Sequence, residues 1–258
     1  MIWDLIIGIL LFYTAAVVPL YVAFEETVSF KRVLIDIGVD IIFIADVVLS
    51  FFTSYIDPSS GEIVQSIKKI SLTYLKGWFW MDLLASMPWQ ATEMILGESA
   101  TDGETKFYLR ILRVVRLFRL LKYVKLMKFK SKKRCLRLND SIRRIIQVTG
   151  LVLFFSHLVA CLWFFLARVD GFGPETWVAR RSLESYGMAF QYLVSYYWAI
   201  QTVTTVGFGD FPARTASEMG LSLLWMIFGV GFYSYVMGNF SSMLSSIDSE
   251  EMQLRVKL

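Results

Sequence analysis

Thr202-Val203-Thr204-Thr205-Val206-Gly207-Phe208-Gly209-Asp210 lies between two long apolar segments, directly after the aromatic run Tyr196-Tyr197-Trp198. Two glycines alternate with non-glycines in a stretch too short to cross a bilayer and too polar to be one more spanning helix. Irregular backbone at membrane depth is tolerated only where protein buries it or where it lines a water-filled path. This stretch decides the fold class. An all-α membrane protein has to be built around a re-entrant loop, with the other residues holding that loop and controlling access to it.

The composition agrees with that placement. Of 258 residues, 56% are hydrophobic and 16% aromatic, against about 45–50% apolar in an ordinary soluble domain. Six apolar segments, at 2–24, 33–55, 72–95, 107–129, 142–167 and 216–246, are long enough to cross roughly 30 Å of hydrocarbon as helices of about 20 residues. A seventh, 190–204, is too short to span and leads into the Gly-Phe-Gly loop. The order is four helices, then helix, re-entrant loop, helix. Met1 is followed by an apolar segment without the basic flank of a cleavable signal peptide, and the chain reads as the membrane core of a longer protein. Cys135 and Cys161 make no disulfide framework. One falls at the cytoplasmic face and the other deep in a helix, so they cannot meet within one chain.

Net charge is +4, and its placement matters more than its size. Lys130, Lys132, Lys133, Arg134, Arg137, Arg143 and Arg144 crowd the connection after the fourth segment against Asp140, whereas Glu98, Asp102 and Glu104 outnumber Lys106 before it. Basic residues near helix ends stay cytoplasmic. The fourth helix therefore runs from outside to inside, Met1 and Leu258 are cytoplasmic, and Gly171 and Asp210 face outside. Residues 130–144 can also hold anionic lipid headgroups.

The fourth segment carries Arg110, Arg113, Arg116, Arg119, Lys122, Lys125 and Lys128 at every third position, with apolar residues between them. A soluble amphipathic helix mixes steps of three and four to keep one face. A strict step of three winds the charges around an α-helix as a spiral, or aligns them in a straight row on a 3₁₀-helix. Either form lets each cation take the place of the one before as the helix slides. Charges in a bilayer are costly enough to imply function, and a basic surface helix would waste the apolar pairs. These are gating charges of a voltage sensor. One charge crossing the field is worth about 2.3 kcal/mol per 100 mV, so three or four moving in each of four subunits supply on the order of 28–37 kcal/mol.

Moving cations need partners. Asp36, Asp40 and Asp46 in the second segment and Asp82 in the third supply them. Asp36 and Asp40, four apart on nearly one face, lie in the outer half as countercharges. Phe43, one turn above Asp46, forms with Asp46 and Asp82 an inner site through which the cations pass. Static ion pairs that only hold the bundle together are the alternative. Seven such cations move the same way whether depolarisation or hyperpolarisation opens the gate.

The pore half reads as a support for the loop. Carbonyl oxygens of Thr205, Val206, Gly207 and Phe208, pointing inward from four copies, can replace the water shell of a potassium ion, with Gly209 completing the filter and Asp210 at its mouth. Tyr192, Tyr196, Tyr197 and Trp198 on the short helix are expected to pack as an aromatic cuff. That helix turns its negative C-terminal end toward a cation below the filter. His157, the only histidine, reads as a hydrogen-bonded packing residue. Gly229 and Gly231 serve as a gate hinge or as close helix contacts. The expected domains are a voltage sensor at 1–129, a basic cytoplasmic linker at 130–141, a pore domain at 142–246 and the start of a C-terminal linker at 247–258. The sequence contains no P-loop, no metal-ligand spacing and no catalytic constellation, so an enzyme is not expected.

With these residues in view the chain resembles the voltage-gated cation channels of the ether-à-go-go and cyclic-nucleotide-binding-domain superfamily. The resemblance rests on Trp3-Asp4 with Val18-Pro19, Asp36-x₃-Asp40-x₅-Asp46 with Phe51, and Tyr74-Leu75-Lys76-x-Trp78-Phe79 running to Asp82-Leu83-Leu84 and Met87-Pro88. His157-x₂-Ala160-Cys161-x-Trp163 and Gly238-Asn239 complete it. It implies a homotetramer around one pore in a plasma or ciliary membrane, with both termini cytoplasmic. It also implies a cyclic-nucleotide-binding domain beyond Leu258, through which alone a nucleotide would act. Potassium is the permeant ion, and neither another cofactor nor a nucleic-acid partner is implied. Gly209-Asp210 is nearer to strict potassium channels than to the hyperpolarisation-activated relatives. A weakly selective hyperpolarisation-activated or cyclic-nucleotide-modulated channel is the nearest alternative, and a non-conducting voltage-sensing regulatory subunit the one of another class.

Overall fold

A computed structural model describes residues 2–25, 30–56, 61–86 and 140–257. The expected fourth helix with its seven cations, residues 87–95 of the third segment, Cys135 and the linker up to residue 139 lie outside the described residues. The chain divides into two compact units, Met1–Lys133 and Arg134–Leu258, each of which is taken by itself.

In the first unit, α1 spans Ile2–Phe24 and α2 Phe30–Ser50. Their seam follows from spacing. Ile7 and Leu11, one turn apart, meet Val39 and Phe43, also one turn apart, with Trp3, Leu10, Tyr13 and Ile42 alongside. The other face of α1 leaves Leu5, Ile9 and Phe12 exposed, as a helix with lipid on one side should. Pro19 sits inside α1, and proline is more frequent in transmembrane helices than in soluble ones.

Two expectations change here. The second segment stops being helical at Ser50 rather than at residue 55, because Tyr55–Ile56 (β1) pairs antiparallel with Ile63–Val64 (β2). Among the described residues the fold is therefore helical with one small hairpin, rather than all-α. The Tyr55 hydroxyl meets Thr73 Oγ1 at 3.1 Å and pins that hairpin to the next helix. The third segment does not begin one long helix at residue 72. It divides into α3, Ile67–Lys76, and α4, Phe79–Ser86. The break is at Gly77, with φ −112° and ψ −98°, whose N–H turns back to the Tyr74 carbonyl. A Cβ there would lie 3.2 Å from the Thr73 carbonyl oxygen, so a side chain would crowd this turn. α3 is amphipathic, with Ile70 and Tyr74 buried and Lys68 and Lys69 exposed, which fits a membrane-surface helix better than a span.

In the second unit, α5 runs Asp140–Val169, α6 Trp177–Arg180, α7 Met188–Val203 and α8 Ala216–Lys257, with a 3₁₀ turn at Leu183–Ser185. α8 continues through 247–257, where the sequence was read as the start of a linker. α7 buries Gln191, Val194, Ser195, Trp198 and Ala199, the steps of three and four that define one face of a helix. Trp198 on that face stacks on Trp163 of α5 at 3.8 Å between centroids and 4° between planes. Trp225 of α8 donates its indole N–H to the Ala199 carbonyl at 2.9 Å. α7 is thus clasped between α5 and α8.

Among the described residues, three helical stretches are long and apolar enough to cross a membrane: Trp3–Phe24, Ile146–Val169 and Ala216–Ser241. α2 has the length, at 21 residues, but carries Asp36, Asp40 and Asp46 along it.

Candidate functional site

The loop from Thr204 to Asp210 hangs from the C-terminal end of α7. Thr205, Gly207 and Gly209 have φ of 63°, 56° and 74°, while Val206 and Phe208 between them do not enter the positive range. Left-handed residues alternating with ordinary ones turn successive peptide units the same way, so that carbonyl oxygens line one side of the strand. Glycine takes this conformation at little cost, whereas a β-branched threonine does not. Thr205 is held because the loop is tied at several points.

Most of those ties converge on Gln201, which is buried near the end of α7. Its backbone carbonyl accepts the N–H groups of Val206 at 3.0 Å and Gly207 at 3.1 Å. Its side-chain oxygen accepts the Phe208 N–H at 3.0 Å, and its side-chain nitrogen donates to Asp210 Oδ1 at 2.8 Å. One residue therefore braces the strand near its start, in its middle and just beyond its end. Gln201 was missed in the sequence. The available signal was an amide in an apolar helix nine positions before the aspartate that closes the motif.

Asp210 is half-buried. Partial desolvation pushes its pKa up, but hydrogen bonds from Gln201, the Tyr197 hydroxyl and the Phe211 N–H outweigh it and hold the carboxyl below the ordinary value of 3.8.

The expected aromatic cuff is only partly present. Tyr197 lies parallel to Phe208 of the loop, 6.4 Å between centroids. Trp198 instead faces α5, and the Tyr192 hydroxyl meets His157 Nδ1 at 2.9 Å. Residues adjacent on a helix point about 100° apart, so Tyr197 and Trp198 cannot both face the loop. His157 is hydrogen-bonded, as its position in an apolar helix suggested.

Behind the loop stands a second brace. Thr215-Ala216-Ser217-Glu218 is a capping box at the start of α8: Glu218 N–H donates to Thr215 Oγ1 at 3.3 Å, and Thr215 N–H to Glu218 Oε2 at 3.2 Å. The fully buried Glu218 carboxylate also accepts from Arg214 N–H at 2.8 Å and from Trp177 N–H at 3.1 Å. A single side chain thus joins the loop after the filter motif, α6 and the start of α8.

Gly229 faces the base of α7. A Cβ there would come within 3.2 Å of Val203 Cα and 3.3 Å of the Val203 carbonyl oxygen, whereas one on Gly231 would meet open space. Close packing accounts for Gly229.

In the first unit the acidic residues fall into two groups. Asp36 and Asp40 are buried one turn apart on α2, and Phe43, one turn further, is fully buried. Asp46 accepts the Trp3 indole N–H at 3.0 Å. Asp82, also buried, accepts the Tyr74 hydroxyl at 2.7 Å, and Asp46 acts electrostatically on the same phenol. Ser86 on α4 donates to the Phe43 carbonyl at 3.3 Å. Phe43, Asp46 and Asp82 are thereby gathered around the α2–α4 contact. Arg110 to Lys128, the cations they were read to serve, lie outside the described residues.

Fold and site together define a helical integral membrane protein in which a braced, glycine-alternating loop joins a short helix to a long one. The chain belongs to the ion transport protein family, whose model matches residues 1–252. It is 30% identical to Potassium channel KAT4 of Oryza sativa subsp. japonica over 257 residues, covering 98% of this chain and 42% of that protein. Potassium channel AKT2/3 of Arabidopsis thaliana is 29% identical over 261 residues, 98% of this chain and 31% of the relative. Potassium channel SKOR of the same plant is 29% identical over 252 residues, 94% and 29%. The chain spans less than half the length of each of these three. The resemblance to voltage-gated cation channels read from its motifs is borne out at the level of family.

Proposed function

We propose that four copies of this chain form a voltage-gated, potassium-selective channel core. The observation that carries the proposal is the alternating backbone at Thr205, Gly207 and Gly209, braced by Gln201. Potassium binds the carbonyl oxygens of Thr205, Val206, Gly207 and Phe208 in place of its hydration water, with Asp210 at the extracellular mouth. Support also comes from relatives whose names call them potassium channels.

In this reading six helices span the bilayer and 188–210 form the re-entrant element. Residues 1–129 are the voltage sensor, 130–141 a basic linker and 142–246 the pore, with residues 130–144 meeting anionic lipids. Both termini are cytoplasmic. Arg110, Arg113, Arg116, Arg119, Lys122, Lys125 and Lys128 pass Phe43, Asp46 and Asp82 as the membrane potential changes, with Asp36 and Asp40 as outer countercharges. Gly231 is the freer of the two candidate hinge positions.

The test is the reversal potential of purified, reconstituted protein under exchange of potassium for sodium. A value that follows the potassium gradient supports the proposal. One that ignores it favours a weakly selective cation channel, and absence of current in intact tetramers favours a non-conducting voltage-sensing subunit.

A further inference from the structure

Beside Asp210 lies an open recess of about 370 Å³ whose lining includes Trp177, Arg180, Arg181, Asp210, Phe211 and Arg214. The balance there is three guanidinium groups to one carboxylate. Arg180 is answered by Glu175 at 2.6 Å. Among the described residues neither Arg181 nor Arg214 has a carboxylate within ion-pair distance. Arg181 instead donates to the Asp210 backbone carbonyl and stands 5.2 Å from the Phe211 ring centroid, so its charge is fixed against the first carbonyl beyond the filter motif. Arg214 is exposed, and its backbone is anchored by Glu218. The Asp210 carboxylate is engaged with Gln201, on the side of the loop toward α7.

We propose that Arg181 and Arg214 form a cation-repelling collar at the outer mouth. They would set how much potassium gathers at the filter entrance and which external cations can plug it. The proposal rests on the channel reading above, which makes the Asp210 end of the loop the entrance and repeats the collar fourfold. A cluster of like charges beside a low-dielectric wall focuses its field and changes the local concentration of the ions it meets. The concentration of a divalent cation changes by the square of the monovalent factor, so the collar discriminates against divalent blockers most strongly. Salt screens exposed charges over a Debye length of about 10 Å at 0.1 M and about 3 Å at 1 M.

The experiment is single-channel recording of inward potassium current, with external barium as the blocking probe, at low and high external salt. Wild type is compared with Arg181→Gln, Arg214→Gln, the double variant, Arg181→Lys and Arg180→Gln. The double variant should raise inward unitary conductance about two- to fivefold at low salt. It should tighten external barium block by roughly the square of that factor, and both differences should fade at high salt. Arg181→Lys keeps the charge and should behave as wild type. Arg180→Gln removes a charge already paired and should change conductance least.

Potassium current that is equal in wild type and double variant at low salt overturns the collar alone. So does Arg181→Lys matching Arg181→Gln, because the guanidinium would then act only as a structural tie. Absence of potassium current in the wild type overturns the channel reading and the collar with it.

Discussion

Gln201 and Asp210 show how much one neutral side chain can control. The amide presents an acceptor to Phe208 N–H and a donor to Asp210. Gln201→Ala leaves both groups without that partner, at a cost of about 1–3 kcal/mol, and potassium current should decay during sustained activation or lose selectivity. Reversal potential and current decay in the variant measure this. The pH dependence follows from the lowered Asp210 pKa. A carboxylate whose folded pKa is depressed contributes stability that is fully present above its unfolded value and lost as pH falls through the folded one. Current should therefore withstand external acidification through the ordinary carboxylate range and fall only below about pH 3.8, while Gln201→Ala should fail at a higher pH. Glu218 is the other single point of failure. Glu218→Ala removes the acceptor for three backbone N–H groups and should lower stability by at least about 2 kcal/mol, read as a fall in Tm of the purified protein. Glu218→Gln, which keeps one oxygen, should lose less.

Among elements, the clasp of α7 between α5 and α8 sets the loop's position. Gly229 lets α8 approach the end of α7, and a methyl group there has no flexible side chain to displace, only the backbone of Val203. Gly229→Ala should cost about 1–3 kcal/mol through overpacking and weaken conduction. Gly231→Ala has room and removes a poor helix former, worth up to about 1 kcal/mol, so its melting temperature should hold or rise. If Gly231 is the hinge, its gating should slow despite that. A comparison of Tm with activation kinetics for the two variants separates packing from bending. The break at Gly77 follows the same logic in the first unit. It frees α3 to lie along a surface while α4 turns Asp82 toward the Tyr74 hydroxyl.

For the molecule as a whole, lipid replaces water as the environment of most exposed side chains. Leu223, Leu224, Ile227 and Val230 on α8 and Phe208 in the loop are exposed in a single chain, and burying them against lipid or against other copies carries little of the hydrophobic gain available in water. In the proposed tetramer, assembly would then draw on close packing and on the ions shared at an axis. In the proposed reading voltage control belongs to this scale too, since it sets Asp46 and Asp82 against Arg110 to Lys128, which lie outside the described residues. Asp46→Asn and Asp82→Asn should each shift the voltage dependence of gating charge movement; gating currents identical to wild type would reject their role. Neither change should alter the reversal potential.

Much of this is legible in the amino-acid sequence. Thr205 to Gly209 announced its conformation because glycine recurs where positive φ is needed, and the segments 2–24, 142–167 and 190–204 lie within a few residues of α1, α5 and α7 because apolar length is a local property. Other features were invisible because they depend on contacts distant in sequence. The hairpin needs Tyr55 to find Val64, and the break at Gly77 overrides an apolar run that reads as continuous. Trp198 turns away from the loop only because Trp163 is there to receive it. Gln201 gains its meaning from Phe208 and Asp210, seven and nine residues on, once the chain has doubled back. Chemistry written into neighbouring residues could be read along the chain. Which side chains brace the loop was settled by packing, where the orientation of a helix decides what each residue can touch.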